Sequence, residues 1–300
     1  MTNAYVVFEI QPEWVLETEA LGSKAKFWYR RKQEESPWLF KFPQPNTGQH
    51  WAEKIAAEIA ELLDIEHARV ELAVFEGTKG SASESFAPRG IDLYHGNQIL
   101  AGKVLDYDPS RKFLQSDHTL ANIFLALART FITVGGLRES QESFAGYLVL
   151  DALIGNTDRH QENWGILVEE TGNKSLGSLA PTFDHASSMG RELLDQGPGK
   201  TRQRLLEKDG IRNYAEKARG AIYWHASDAH GPSPLELVRR ATNQHRQPFA
   251  PALAKLDRLE RTTIETIVNR VPEDWMTPHA RKFAVELMCY NLQELRSIAP

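Results

Sequence analysis

The chain predicts an α+β fold in two unequal lobes: a small strand-rich N-terminal lobe with one helix, residues 1–100, and a larger, mainly helical C-terminal lobe, residues 101–300. Three observations carry this. Short β-branched and aromatic runs crowd the first third. Apolar residues at helical spacing dominate from about Thr119 onward. Between the helices, a polar loop and a small hairpin lie between Gly155 and Asp184.

In the N-terminal part, Tyr5 to Ile10, Lys26 to Tyr29, Trp38 to Phe42 and Val70 to Phe75 read as strands, because each run is bounded by Gly, Pro or polar residues. One helix separates them, from Gln49 to Leu63, where Trp51, Ile55, Ile59, Leu62 and Leu63 recur at spacings of three and four. The Gly and Ser cluster Gly77 to Ser85 is too short for a linker. Gly96 to Asp108 interrupts both patterns and marks the change of lobe. Beyond it, Leu120 to Val134, Gln141 to Ile154, Ser233 to Arg246, Leu253 to Asn269 and His279 to Ile298 read as helices. Trp164 to Glu169 and Ser178 to Phe183 read as two strands joined by a turn at Thr171 to Lys174.

Composition narrows the class of function. Three hundred residues, 41% of them apolar, can bury a substantial core. A net charge of −5 from 35 Lys plus Arg and 40 Asp plus Glu gives no basic stripe, which argues against direct nucleic-acid binding. The single cysteine, Cys289, excludes a disulfide framework and reads as a buried structural thiol. No run approaches the ~20 apolar residues of a membrane span. Met1 to Gln11 lacks a basic flank followed by a long apolar core, so a cytoplasmic protein is expected.

The residues that carry chemistry lie in Gly155-Asn-Thr-Asp-Arg-His-Gln-Glu-Asn163, an ordered polar loop between an apolar helix and a strand. Asp158 and Asn163 are five apart, and Asp184 follows after a hairpin, directly behind Phe183. Phosphoryl transfer needs a carboxylate for the attacking hydroxyl, oxygen ligands that hold magnesium against phosphates, and a cation on those phosphates. One Asp and one Asn suffice as protein ligands for magnesium, which keeps several waters. The order base Asp, Asn, metal Asp is the one protein kinases use, so the two lobes are expected to form a protein-kinase-like fold with ATP and Mg2+ between them.

The run Asp151-Ala-Leu-Ile-Gly-Asn-Thr-Asp-Arg-His160, with Asn163-Trp-Gly165 and Pro181-Thr-Phe-Asp184, resembles the catalytic and metal segments of HipA-like serine/threonine kinases, the toxin kinases of toxin–antitoxin systems. The resemblance implies that Asp158 is the catalytic base, that Asn163 and Asp184 are magnesium ligands, and that His160 neighbours the phosphates. Gly22-Ser-Lys-Ala-Lys26 is similar to the family's phosphate-binding loop, Lys41 to its ATP-contacting strand lysine, and Glu53 to its helix glutamate. That likeness assigns Gly22, Ser23, Lys24, Lys26, Lys41 and Glu53 to the nucleotide, and Ser23 to the autophosphorylated position of some relatives. It further implies a protein substrate such as an aminoacyl-tRNA synthetase, and an antitoxin partner. The chain begins near the phosphate loop, so it is expected to lack the extra N-terminal subdomain of longer relatives, which some shorter relatives supply as a separate polypeptide and which is a candidate partner beside the antitoxin.

Other readings stand beside this one. An isolated loop Asp is usually a turn former or cap, and a lysine such as Lys41 often lies on a sheet edge facing solvent. Glu53 and Glu58 flank the same apolar helix face, and periodicity does not choose between them. A kinase-fold module that only binds nucleotide or a partner is one alternative. A metal-dependent phosphohydrolase using His160, Asp158 and Asp184 is another, although no second His or Cys completes a zinc pattern. Gly197-Pro-Gly-Lys-Thr201 is not a Walker loop, since Leu194 stands where the first Gly belongs.

Overall fold

Alternating large apolar and polar residues make the first strands pair so that aromatic rings collect on one face. In the computed structural model, residues 3–19, 25–32, 34–111, 114–172 and 174–298 are described. Strands β1 (Val7–Glu9), β2 (Val15–Glu19), β3 (Lys26–Tyr29) and β4 (Trp38–Lys41) precede helix α1 (Gln49–Leu62), which is followed by β5 (Val70–Phe75) and β6 (Thr78–Glu84). They form one sheet of order β1-β5-β6-β4-β3-β2, antiparallel except where β1 runs parallel to β5.

The register sets the two faces. Phe27 pairs with Phe40 and Phe40 with Ala82. These residues, with Tyr29, Trp38, Ile10 and Ala73, form a separate aromatic core. The opposite face carries Lys26 paired with Lys41, Lys41 with Ser81, and Ser81 with Leu72. Leu72 packs with Ala52, Ile55, Ala56 and Ile59 of α1 in the main core, so α1 covers this face.

After β6 the chain forms β7 (Ile91–His95) and α2 (Gly96–Lys103), and the C-terminal lobe continues with α3 (Leu120–Thr130) and α4 (Val134–Ile154). Strands β8 (Gly165–Thr171) and β9 (Lys174–Leu179) pair antiparallel, and β7 adds to β8 to make a three-stranded sheet. Helices α5 (Arg202–Leu205), α6 (Gly210–Glu216), α7 (Pro234–Gln244), α8 (Arg246–Lys255), α9 (Arg261–Asn269) and α10 (Pro278–Ile298) complete the lobe. Every residue of α4 from Phe144 to Ile154 is buried, and α7, α8 and α10 pack around it. A helix enclosed on all sides carries no polar face, which is why its sequence is apolar all round.

Several elements differ from expectation, each for a tertiary reason. The cluster Gly77 to Ser85 contains strand β6. Its residues are small because Phe40 lies over them: a Cβ on Gly80 would sit 2.4 Å from the Phe40 ring. Strand β9 ends at Leu179, so Phe183 and Asp184 lie in irregular chain beyond it. The stretch read as one helix from Leu253 to Asn269 is the end of α8 and all of α9, separated by a short 3-10 turn at Leu256–Arg258. Cys289 is half-buried rather than buried. Near the sheet, Arg31 lies over the rings of Phe8 and Trp38, at 3.9 and 4.2 Å from their centroids. Among the described residues, no helix is long and apolar enough to cross a membrane.

Candidate active site

The loop after α4 owes its shape to the helix end. Gly155 caps α4 in the left-handed region at φ 67°, and its amide bonds back to the Asp151 carbonyl. Asp151, the one acid in this apolar stretch, then takes a buried cation. Arg159 donates from Nε and Nη2 to the two Asp151 carboxylate oxygens, at 2.7 and 2.8 Å. Its Nη1 donates to the carbonyl of Asn163 at 2.6 Å and to that of Phe183 at 3.2 Å. Burial opposes the Arg159 charge, yet Asp151 more than compensates and raises its pKa. One guanidinium thus ties together the end of α4, the loop and the chain before Asp184.

Around that staple the loop presents its polar groups. Asn163 Nδ2 donates to the Asp158 carbonyl at 2.8 Å, so its amide oxygen is the end directed away from that bond. The Asp158 carboxylate is half-buried and accepts from Ser187 Oγ at 3.1 Å. His160 closes the loop: its amide donates to the Asp158 carbonyl, and its Nδ1 accepts from the Glu162 amide at 3.1 Å.

Asp184 adopts a left-handed φ of 57°, unusual for a residue other than Gly. The segment is held on both sides, by a bridge from Thr182 to His67 and by the His185 amide donating to Glu53 at 3.0 Å. Lys41 extends from β4 until its Nζ lies 3.3 Å from Asp184 Oδ1. Glu53 is 1% exposed on α1. Burial is the largest influence on its carboxyl and pushes its pKa up. The charge of Lys41 and the His185 hydrogen bond outweigh burial and hold it below the ordinary value. Lys41, Glu53 and Asp184 therefore meet, although they come from a strand, a helix and a loop.

Lys26 stands directly across from Lys41 in the β3–β4 register. Like charges directly opposite in a sheet are unfavourable unless an anion lies near them. Gly22, Ser23 and Lys24 lie outside the described residues.

The family model of the HipA-like C-terminal domain matches residues 18–275. The chain belongs to that family. Of solved structures, the Helicobacter pylori proinflammatory kinase CtkA is similar to this HipA-like chain at 19% identity and a TM-score of 0.75, with 98% of each chain covered. The Shewanella oneidensis HipA, solved with HipB and operator DNA, is similar at 12% identity and a TM-score of 0.54. That likeness covers 93% of this chain and 64% of the Shewanella HipA chain. These likenesses establish a two-lobed kinase-like fold. No curated protein sequence matches the chain.

The residues that shape the HipA-like site but were not singled out in the sequence are Asp151, Arg159, Ser187 and Arg191. An acid inside the apolar run Val149-Leu-Asp-Ala-Leu153 was a readable sign that a cation must be buried nearby. Ser187 and Arg191 carried no such sign. Among the described residues, no group of three or more His, Cys, Asp or Glu side chains is placed to hold a metal ion.

A buried histidine backs the loop. His118 is fully buried, accepts at Nε2 from Trp164 Nε1 at 3.1 Å, and donates from Nδ1 to the Ala221 carbonyl at 3.0 Å. Burial pulls its pKa down to about 4, and His50 is drawn to about 4 for the same first reason. Between pH 6.5 and about 4 the unfolded chain takes up protons that these folded imidazoles refuse. Stability is therefore full above pH 6.5 and should fall as pH drops through this window. Urea unfolding across that range should show a smaller decline for His118→Phe than for the wild type, and equal slopes would contradict the assignment.

Proposed function

We propose that this chain is an ATP-dependent phosphotransferase that acts on a Ser or Thr hydroxyl of a protein. The observation that supports it most is the meeting of Lys41 with Asp184 at 3.3 Å, while Arg159 binds the carbonyls just before Asp184 and at Asn163. A cation, two hard oxygen donors and a loop carboxylate are the protein's share of a phosphoryl-transfer site.

In this reading Lys41 and Lys26, neighbours in the β3–β4 register, face the phosphates. Asn163 and Asp184 would hold Mg2+, which supplies charge neutralisation on the phosphates when bound. A metal shared with phosphate oxygens needs only one or two protein ligands, which suits this donor set better than a hydrolase metal held by the protein alone. Asp158 accepts the proton of the acceptor hydroxyl as its oxygen bonds to the γ-phosphorus and the bond from that phosphorus to ADP breaks. By the family resemblance Gly22, Ser23 and Lys24 would bind the nucleotide's phosphates, and His160 would stand beside them.

The Shewanella HipA belongs to a toxin–antitoxin system and was solved with HipB, which favours an antitoxin-like partner for this chain. A translation component such as an aminoacyl-tRNA synthetase is the protein substrate that the family resemblance suggests.

Incubation of the purified chain with [γ-32P]ATP and Mg2+ should transfer label to protein, recovered as phosphoserine or phosphothreonine. Phosphoproteomes of cells expressing the wild type and Asp184→Ala would then identify the substrate. ATP bound but never consumed would leave only a binding module, and phosphoester hydrolysis without ATP would mark a hydrolase.

A further inference from the structure

The segment from Asp184 to Arg191 does more than carry a metal-ligand candidate. It leaves the site through two consecutive left-handed residues, Met189 at φ 53° and Gly190 at φ 66°. Met189 is wholly buried, and a Cβ on Gly190 would lie 2.4 Å from the Phe283 ring, so core packing holds this turn. The turn brings two side chains back toward the loop. Ser187 touches the loop twice: its carbonyl accepts from the Thr157 amide at 3.4 Å, and its hydroxyl donates to Asp158 Oδ2 at 3.1 Å. On the other side of that hydroxyl, Arg191 Nη2 donates to Ser187 Oγ at 3.2 Å.

Arg191 is also fastened to the N-terminal lobe. Its carbonyl accepts from the Gly48 amide at 2.8 Å, at the residue that caps α1. Its Nη1 donates to Gln44 Oε1 at 3.3 Å, and the Gln44 amide is held by Gln49 Oε1 at 2.7 Å in the first turn of α1. A continuous chain of hydrogen bonds therefore runs from the start of α1 through Arg191 and Ser187 to the Asp158 carboxylate.

We propose that Ser187 and Arg191 are positioning residues that set the rotamer of Asp158 and make it depend on where the start of α1 lies. The inference rests on the reading of Asp158 as the base. Because the Ser187 hydroxyl donates to Oδ2, it turns the carboxylate so that Oδ1 is the oxygen left to take a proton. The guanidinium orients the serine hydroxyl by occupying its lone pair, which commits the serine proton to Asp158. If α1 moves away, Arg191 moves with Gly48 and Gln44, the serine loses its orienting partner, and the carboxylate is free to rotate. The base is thus aligned only when the N-terminal lobe is in place, and a misalignment of this kind costs about 10²-fold in rate.

The test uses the full chain with ATP, Mg2+ and a phosphate-accepting protein or its own autophosphorylation. Ser187→Ala should lower kcat by about 10-fold or more while leaving KM for ATP within about twofold, because the lost interaction aligns the base and does not hold nucleotide. Ser187→Thr, which keeps the hydroxyl, should restore most of kcat. Arg191→Ala should lower kcat similarly, and the Ser187→Ala/Arg191→Ala double variant should be no slower than the worse single variant, as members of one relay are not additive. Urea midpoints measured alongside separate a loss of folding from a loss of alignment. Unchanged kcat in both single variants, multiplicative losses in the double variant, or a threonine that fails to rescue a folded protein would each overturn the relay. If the wild type transfers no phosphate while still binding ATP, the reading of Asp158 as base fails and takes the relay with it.

Discussion

Phosphoryl transfer should fall by about 10²- to 10⁴-fold when Asp158 is replaced by Asn, the range that a positioned general base contributes. Asparagine has nearly the shape of aspartate and can still accept the Ser187 hydroxyl through its carbonyl oxygen, so the loop keeps its geometry. What it lacks is an oxygen able to take the acceptor's proton. Nucleotide affinity should stay near that of the wild type, because Lys41 and Asp184 stand on other elements and are joined to each other at 3.3 Å. Stability should change by less than about 1 kcal/mol, since the Asp158 carboxylate is only half-buried. Single-turnover transfer and nucleotide titration on the same preparation would check this, and a wild-type rate in the variant would remove Asp158 from the mechanism.

The largest effect on stability is expected at Arg159. Its side chain and that of Asp151 are 3% and 4% exposed, and they meet in a bidentate pair. Replacing Arg159 by Leu strands a buried carboxylate that keeps the bond from Asn156 Nδ2 at 2.7 Å, and it releases the carbonyls of Asn163 and Phe183. Breaking a buried pair from one side costs about 3–5 kcal/mol. Chemical denaturation should show a loss of that size. The double variant Asp151→Leu/Arg159→Leu should regain part of it, because no buried charge is then left unpaired. Neither variant should recover phosphoryl transfer, since the loop and the Phe183-Asp184 segment lose their common tether. A loss below about 1 kcal/mol for Arg159→Leu would mean that the loop does not depend on this pair.

The same residues explain which parts of the molecule were legible in advance. Strands β3, β4 and β5 and helix α1 fall where periodicity places them, because their apolar residues alternate or recur against a single buried face. Strand β6 escaped notice since its small residues are dictated by Phe40 on a neighbouring strand, and Gly and Ser there resemble a loop. Strand β7 pairs with a strand more than seventy positions later, and nothing local in Ile91 to His95 announces that partner. At the site, Asp158, Asn163 and Asp184 stood out through their spacing. Helical periodicity left Glu53 and Glu58 undecided, and the fold separates them: Glu53 receives the His185 amide, while Glu58 pairs with Lys54 at 2.7 Å and Arg270 at 3.1 Å.

Hydrophobic periodicity and the order of a carboxylate, an amide and a second carboxylate are short-range features, so residues close in the chain were enough to disclose the two-lobed class and the three candidate side chains. The company those side chains keep was settled only by folding. Glu53 reaches His185 across 132 positions, Arg191 reaches Gln44 across 147, and Ser187 reaches Asp158 across 29. Such pairings depend on how the sheet, α1 and the α4 loop pack in space, and no local preference of the backbone encodes a contact between segments so far apart.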